Sequence, residues 1–181
     1  MSESAHRLGH TVEQLLTLAR LDREGLRQVA EIVNLAELVC DMVAFHQPAL
    51  QDRRIECHLA VPDAPVSVTG LPRLLEQVVA NLLDNALHFT PDGGRIAVTL
   101  ASTVDSVTLT VADSGPGLPE TLRNAPVDRF GDLGQRRVGG TGLGLSIAAD
   151  IARVHGGALT ARTSEWGGAQ FDLTLPIQRS N

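Results

Sequence analysis

Two asparagines and a histidine share one stripe of a segment that has the period of an α-helix. Apolar residues recur every three or four positions through residues 71–90, which predicts an amphipathic helix. Asn85 falls inside the predicted apolar face, with Asn81 four residues before it and His88 three residues after it. A carboxamide in that position costs free energy unless it is bonded. Two interpretations are open: a structural amide bonded to a neighbouring loop, or oxygen ligands for a hard divalent ion shared with phosphates.

A carboxylate and two glycines directly follow a predicted strand. Asp113, at the end of that strand, can accept a hydrogen bond from an exocyclic amine such as that of adenine. Gly115 and Gly117 allow the backbone to pass close to a flat ring or to adopt a positive φ. The same pattern is also typical of an ordinary turn, and that alternative stays open.

A glycine-rich stretch, residues 139–145, precedes a predicted helix. Bare amides at a helix N-terminus bind phosphate through their N–H groups and the helix dipole. No Lys-Ser or Lys-Thr follows these glycines, which excludes a P-loop. No clear strand occupies residues 131–138, which argues against a dinucleotide-binding fold. A tight helix–sheet packing contact remains the structural alternative.

The segments around these motifs predict the elements that position them. Asn34 begins a predicted helix through residue 51, and a second predicted helix covers residues 140–155. Residues 124–140 have few apolar side chains and several glycines, which predicts a mobile loop. Alternating apolar residues predict the strands, which lie at residues 54–60, 66–69, 95–100, 106–111, 158–163 and 169–175.

The N-terminal residues predict a further helix that requires a partner. Residues 5–21 carry a coiled-coil-like apolar seam formed by Leu8, Val12, Leu15 and Ala19. The following charged stretch, residues 22–34, is predicted to be a linker. The seam indicates packing on another helical element, with packing on the chain's own domain as the alternative.

Composition narrows the class of protein. The chain has 181 residues, of which 43% are apolar, enough for one full core. A net charge of −6 and few aromatic residues argue against a nucleic-acid partner. Cys40 and Cys57 show no metal-binding spacing, which favours reduced thiols in a cytosolic protein. No apolar run reaches the length of a membrane span, and the first residues do not resemble a signal peptide.

In this order the motifs resemble the catalytic ATP-binding domain of bacterial sensor histidine kinases. That domain belongs to the superfamily shared with gyrase, Hsp90 and MutL ATPases. Residues 81–86 are similar to the N box, and residues 113–117 to the G1 box. Residues 129–130 are similar to the core of the F box, residues 140–146 to the G2 box, and residues 167–171 to the last glycine motif. The resemblance covers about residues 34–176.

The resemblance implies roles for individual residues. Asn85 becomes the principal Mg²⁺ ligand with Asn81 beside it, and Asp113 receives the adenine amine. Residues 140–145 would wrap the phosphates of ATP, and residues 125–139 would form the lid. The implied nucleotide-binding set is Asn81, Asn85, His88, Phe89, Asp113, Gly115, Gly117, Arg129, Phe130, Arg136, Arg137, Gly140, Thr141, Gly142, Leu143, Gly144 and Leu145.

The resemblance also implies a fold and a reaction. The fold would be a two-layer α/β sandwich, a mixed and largely antiparallel sheet of about five strands with three helices on one face. The reaction would transfer the γ-phosphoryl group of ATP to a histidine on a helical hairpin of the same or a sister chain. A response-regulator receiver domain would then accept the phosphoryl group on an aspartate. The parent would be a homodimer in the bacterial inner membrane, with this domain in the cytoplasm.

Residues 1–33 are similar to the second helix of that dimerisation hairpin plus a linker, and residues 34–181 to the catalytic domain. Neither His6 nor His10 matches the family's phosphoacceptor motif, so autophosphorylation of this chain in isolation is not expected. Several departures affect the site: His88 stands where the family usually has Lys or Arg, Phe89 where it often has Tyr, and Ala169 where it often has Thr. The F box also lacks a second basic residue near Asp132, a role that Arg136 or Arg137 would cover.

Two alternatives to the kinase are a gyrase- or Hsp90-type ATP hydrolase or switch, and a nucleotide-binding module without transfer activity. The hydrolases carry a glutamate general base four residues before the metal-binding asparagine. Asn81 occupies that position and cannot take a proton from water, which disfavours hydrolysis.

Overall fold

The computed structural model describes residues 30–118, 120, 125–127 and 143–177. Three helices are present among them: α1 (Leu35–Asp52), α2 (Pro72–Phe89) and α3 (Leu143–Val154). The strands are β1 (Glu31–Asn34), β2 (Glu56–Ala60), β3 (Ser67–Gly70), β4 (Arg95–Ser102), β5 (Ser106–Asp113), β6 (Ala125–Pro126), β7 (Ala158–Thr163) and β8 (Ala169–Pro176). The predicted helix at residues 5–21 lies outside the described residues.

The main sheet has the strand order β2-β4-β5-β8-β7-β6. Strands β2 and β4 are parallel, and every other neighbouring pair is antiparallel. The prediction of a mixed, largely antiparallel sheet of about five strands is therefore confirmed, since the sixth strand, β6, has only 2 residues. The hairpins β4–β5 and β7–β8 occur where alternation predicted them.

Alternating burial places the core on one face of the sheet. In β5, Val107, Leu109 and Val111 are buried, while the threonines between them are partly exposed. All three helices pack on the face with the buried side chains, so the predicted sandwich is confirmed. Helix α2 contributes a run of fully buried residues at helical spacing, because its apolar side chains recur every three or four positions. No helix among the described residues has the length and apolar character of a membrane span.

The linker prediction is wrong for its last four residues. Glu31–Asn34 form β1, which pairs antiparallel with β3 in a separate two-stranded sheet. The β-branched Ile32 and Val33 suit an extended strand. Their partner strand, β3, lies more than thirty residues later in the sequence. The neighbouring residues are charged, so the local sequence predicts a linker and gives no sign of the strand.

The predicted mobile loop does not include residues 125–127. Ala125 and Pro126 pair with Ala161 and Thr160 of β7, and Val127 is fully buried. The loop and lid predictions are therefore wrong for these three residues, which the sheet and core hold. Residues 128–142 lie outside the described residues.

Candidate functional site

The asparagine stripe of α2, which consists of Asn81, Asn85 and His88, is partly buried. Asn81 is buried, with 5% of its surface exposed, and Asn85 is half-buried. The sequence placed Asn85 inside the buried face, whereas Asn81 is the more buried of the two. Helix α2 packs against α3 as well as the sheet, so it has more than one buried side.

The buried carboxamide of Asn81 has an unsatisfied group. Within the residues that the structure describes, its Nδ2 has no hydrogen-bond partner. Leaving such a group unpaired costs about 1–3 kcal/mol, and a half-turn of the carboxamide exchanges its oxygen and nitrogen. The position can therefore offer an oxygen or an N–H₂ group to a ligand, and it fits a site for a metal ion or a polar ligand.

The remaining predicted residues of the α2 stripe lie at its C-terminal end. His88 is exposed and Phe89 is half-buried. Their rings meet edge to face, with centroids 4.7 Å apart. The pair leaves the His88 ring accessible for a contact with a bound anion.

Asp113 ends β5 as a buried carboxylate, with 1% of its surface exposed. Its Oδ1 accepts hydrogen bonds from the N–H groups of Gly115, at 2.8 Å, and Ala169, at 3.1 Å. Its main-chain oxygen accepts one from the Ser164 hydroxyl at 2.6 Å. These bonds fix the carboxylate in position, which suits recognition of a rigid hydrogen-bonding partner.

The glycines that follow Asp113 permit unusually close packing. A Cβ on Gly115 would lie 2.6 Å from the carbonyl oxygen of Phe89, at the end of α2. Gly117 has a φ of +78°, and a Cβ there would lie 2.4 Å from the carbonyl oxygen of Gly167. The turn at residues 114–117 therefore joins the end of α2 to the β7–β8 turn, and both glycines are required.

The glycine-rich motif is described only from Leu143 onward. Leu143 is the first residue of α3, Gly144 is half-buried, and Leu145 is buried. Helix α3 packs on α2, the helix that carries the asparagine stripe. The other predicted residues lie outside the described residues; they are Arg129, Phe130, Arg136, Arg137, Gly140, Thr141 and Gly142.

Sequence patterns missed two residues that shape the site. Ser164 is buried and bonds the main chain of Asp113, and Arg53 binds the C-terminal end of α2. Neither stands in a recognisable motif, and each acts on a residue more than thirty positions away. Only three-dimensional structure could reveal such contacts.

A buried histidine joins α1 to α2. The Nδ1 of His46 lies 2.7 Å from the carbonyl oxygen of Met42, and its Nε2 lies 3.1 Å from Oδ1 of Asp84. Both neighbours accept hydrogen bonds, so both contacts are satisfied only by the doubly protonated ring. The hydrogen bond to the Asp84 carboxylate raises the pKa of His46, burial partly offsets this, and the Met42 carbonyl adds to the rise.

We expect this pair to make the free energy of unfolding depend on pH. A folded-state pKa above the unfolded value of about 6.5 stabilises the fold fully below that pH. The contribution is lost as the pH rises through the folded-state pKa of His46. Urea unfolding of the wild type and of His46→Gln between about pH 5 and about pH 9 tests this expectation. The variant should show a flatter profile, and parallel profiles would contradict it.

Comparison with known proteins agrees with these features. Residues 70–179 match the family model described as histidine kinase-, DNA gyrase B-, and HSP90-like ATPase. Sensor protein CreC of Escherichia coli (strain K12) is 36% identical over 173 residues, which cover 93% of this chain and 35% of CreC. Sensor histidine kinase TmoS of Ectopseudomonas mendocina is 34% identical over 170 residues, which cover 92% of this chain and 17% of TmoS.

Solved structures of histidine kinases are also similar to this chain. The nucleotide-free catalytic domain of histidine kinase ThkA has a TM-score of 0.71 at 25% identity, covering 84% of this chain and 100% of that chain. The mycobacterial sensor histidine kinase MprB has a TM-score of 0.69 at 30% identity, with the same coverage of 84% and 100%. The chain spans less than half the length of CreC and of TmoS.

Proposed function

The chain belongs to the histidine kinase-, DNA gyrase B- and HSP90-like ATPase family, with an ATP-binding catalytic domain of the sensor histidine kinase type, and from that premise we propose a reaction for it. The protein transfers the γ-phosphoryl group of ATP to a histidine on a separate helical hairpin of the same or a sister chain. A response-regulator receiver domain then accepts the phosphoryl group on an aspartate. These steps are those of a whole sensor histidine kinase, and this chain spans less than half the length of CreC and of TmoS.

We propose that Mg²⁺ accompanies ATP and that Asn85 and Asn81 hold it. Amide oxygens are suitable ligands for this hard ion, which keeps several other positions for water and phosphate oxygens. The unsatisfied carboxamide of Asn81 supports this role for the stripe. When bound, the ion would neutralise charge that develops on the phosphate oxygens during phosphoryl transfer.

The protein's own residues bind and orient the nucleotide in this proposal. Asp113 accepts a hydrogen bond from the adenine amine while Gly115 and Gly117 allow the ring to approach. The N-terminal turn of α3, with Gly144 and Leu145, offers main-chain N–H groups to the phosphates. His88 and Phe89 border the nucleotide at the end of α2. Phosphoryl transfer depends mostly on such positioning, so no general base is needed on this chain.

The residues outside the described ranges have proposed roles that rest on the resemblance. The glycine-rich stretch (Gly140, Thr141 and Gly142) completes, with Leu143 of α3, the phosphate-binding turn. The lid carries the remaining contacts, which are Arg129, Phe130, Arg136 and Arg137.

The observation that carries this proposal is the fixed carboxylate of Asp113 beside the end of α2. Two main-chain N–H groups hold its Oδ1, and Gly115 lies against the carbonyl oxygen of Phe89. The Asp113 carboxylate, which we propose accepts the adenine amine, thus lies next to the turn that contacts the end of α2, the helix that carries the asparagines.

The residue type at position 81 also distinguishes the proposed kinase activity from the alternative activity, ATP hydrolysis. A hydrolase of this family would need a proton acceptor at that position, and a carboxamide cannot serve as one. We therefore propose phosphoryl transfer to a protein histidine as the activity rather than ATP hydrolysis.

The proposed partners and setting follow from the same premise. Residues 1–30 supply the second helix of the dimerisation hairpin and its linker, and the parent is a homodimer. The catalytic domain begins with β1 (Glu31–Asn34) and continues through residue 181. We propose that this domain works in the cytoplasm, and that the parent is anchored in the bacterial inner membrane. The acidic net charge of −6 and the paucity of aromatics support the proposal that no nucleic acid is bound.

A transfer assay tests the proposed reaction. The chain is mixed with Mg²⁺, ATP labelled on the γ-phosphate, and a separately made acceptor hairpin, and a hairpin with its histidine changed to alanine is the control. Label on the intact hairpin alone is the expected result. Release of free phosphate without the hairpin would support the hydrolase, and binding of ATP with neither outcome would leave a nucleotide-binding module.

A further inference from the structure

An arginine from α1 reaches across to the C-terminal end of α2. Arg53 follows the last residue of α1, and its guanidinium donates hydrogen bonds to the carbonyl oxygens of Leu87 and Thr90, the latter at 2.7 Å. Its Nε donates to Oδ1 of Asp92 at 2.8 Å. One side chain therefore binds the last turn of α2 and the turn that follows it.

Such contacts supply partners that a helix end lacks. The last carbonyl groups of an α-helix have no partner within the helix, and they carry the negative end of the helix dipole. A fixed cation that donates two hydrogen bonds there satisfies both needs at once. Arg53 is thus bound to α2 by charge-assisted hydrogen bonds rather than by a surface ion pair alone.

The same end of α2 contacts the turn after Asp113. The Phe89 carbonyl lies so close to Gly115 that a Cβ there would be 2.6 Å away. The adjoining Thr90 is buried, and its hydroxyl donates to the Ala86 carbonyl at 2.7 Å. The end of α2 therefore packs directly against the turn at residues 114–117.

The turn after α2 completes the connection. The main-chain carbonyl of Arg53 accepts a hydrogen bond from the Gly93 N–H at 2.9 Å. A Cβ on Gly94 would lie 2.8 Å from the Ser114 hydroxyl, which itself accepts a hydrogen bond from the Arg95 N–H at 2.8 Å. Arg53 therefore holds the helix end and the turn at residues 91–94 together, and both pack against residues 114–117.

We propose that Arg53 is a positioning residue of the nucleotide site: it sets the distance between the asparagine stripe of α2 and the carboxylate of Asp113. This inference rests on the proposed function, in which one nucleotide contacts both groups. ATP with Mg²⁺ spans the two, so an error in their separation weakens binding of the whole ligand. Adenosine contacts only the Asp113 side, so the same error affects it little.

Binding measurements on the full chain test this role. Calorimetry compares adenosine, ATP alone and ATP with Mg²⁺ on the wild type, Arg53→Ala and Arg53→Lys. We expect Arg53→Ala to weaken binding of ATP with Mg²⁺ by about tenfold, because the two groups that the ligand spans are no longer held at the right separation. Adenosine affinity should stay within about twofold, and Arg53→Lys should recover part of the loss because it keeps the charge without the fork.

Two control variants separate positioning from general destabilisation. Arg153→Ala removes an exposed arginine whose bond, 2.7 Å to Asp150, lies within α3. Leu175→Ala removes a buried side chain of β8 and lowers stability away from the end of α2. Neither control should change the ratio between the affinities for ATP with Mg²⁺ and for adenosine.

Amide hydrogen exchange of the ligand-free protein gives a second readout. Arg53→Ala should speed exchange at Thr90 and Gly115 relative to the rest of the sheet, and Leu175→Ala should not do so selectively. An unchanged exchange pattern, or equal loss of adenosine and ATP affinity, would overturn the positioning role. If the wild type binds ATP and Arg53→Ala binds it equally well, this inference fails alone. A wild type that binds no ATP overturns the proposed function as well.

Discussion

Replacing Asn85 with alanine is expected to abolish Mg²⁺-dependent ATP binding while the domain remains folded. The change removes the proposed principal ligand of the ion. Loss of a residue that only supports a metal ligand costs about 10–100-fold in metal affinity, so loss of the ligand itself should cost more than about 100-fold. Asn85 is half-buried at the edge of α2, so the free energy of unfolding should change by less than about 1 kcal/mol.

Calorimetry with and without Mg²⁺ measures the effect on binding. Asn85→Asp keeps an oxygen ligand and should retain dependence on Mg²⁺. Gln51→Ala, which removes an exposed carboxamide from α1, is the matched control. Adenosine should bind Asn85→Ala as it binds the wild type. An Asn85→Ala protein whose ATP affinity still rises with Mg²⁺ would remove Asn85 from the site.

The predictable part of the fold is the part with a local signal. Alternating apolar residues predicted β4, β5, β7 and β8, and tight turns predicted their pairing. Gly93 adopts a φ of +74°, as a turn with glycine at that position requires. By contrast, β1 was missed because its partner β3 is distant in sequence, and strand pairing at that separation leaves no local pattern.

The identities of the site residues were easier to predict from the sequence than the contacts among those residues. The period of α2 placed Asn81, Asn85 and His88 on one stripe, because helical geometry alone determines such neighbours. The sequence could not show that Ala169, 56 residues after Asp113, donates its N–H to that carboxylate. The contact of Arg53 with Thr90, 37 residues apart, is equally non-local. Both depend on how whole elements pack.

The second large effect is expected at Gly168, in the turn that packs against Asp113. A Cβ there would lie 2.0 Å from the Asp113 carbonyl oxygen and 2.5 Å from its Oδ1. The nearest atom belongs to the backbone of a central strand, so it cannot move aside cheaply. We expect Gly168→Ala to lower the free energy of unfolding by about 3 kcal/mol, at the upper end of overpacking effects, and to displace the carboxylate.

Gly167→Ala provides the matched control for this prediction. Gly167 has a φ of +83°, but a Cβ there would meet nothing within 4 Å. Its cost should be only the strain of a left-handed residue, about 1–2 kcal/mol. Denaturant unfolding, followed by the fluorescence of the single tryptophan, Trp166, gives both values.

Nucleotide selectivity distinguishes displacement of Asp113 from loss of stability. A carboxylate that receives the adenine amine favours ATP over inosine triphosphate, which has a carbonyl oxygen in place of the amine. Gly168→Ala should lose that preference in molecules that remain folded, with or without Mg²⁺, whereas Gly167→Ala and Asn85→Ala should keep it. A wild-type preference in folded Gly168→Ala would contradict the prediction that the change displaces the carboxylate from the base. If Gly168→Ala fails to fold, Asp113→Asn tests the same point, because its amide can donate to the carbonyl of inosine and should reduce or reverse the preference.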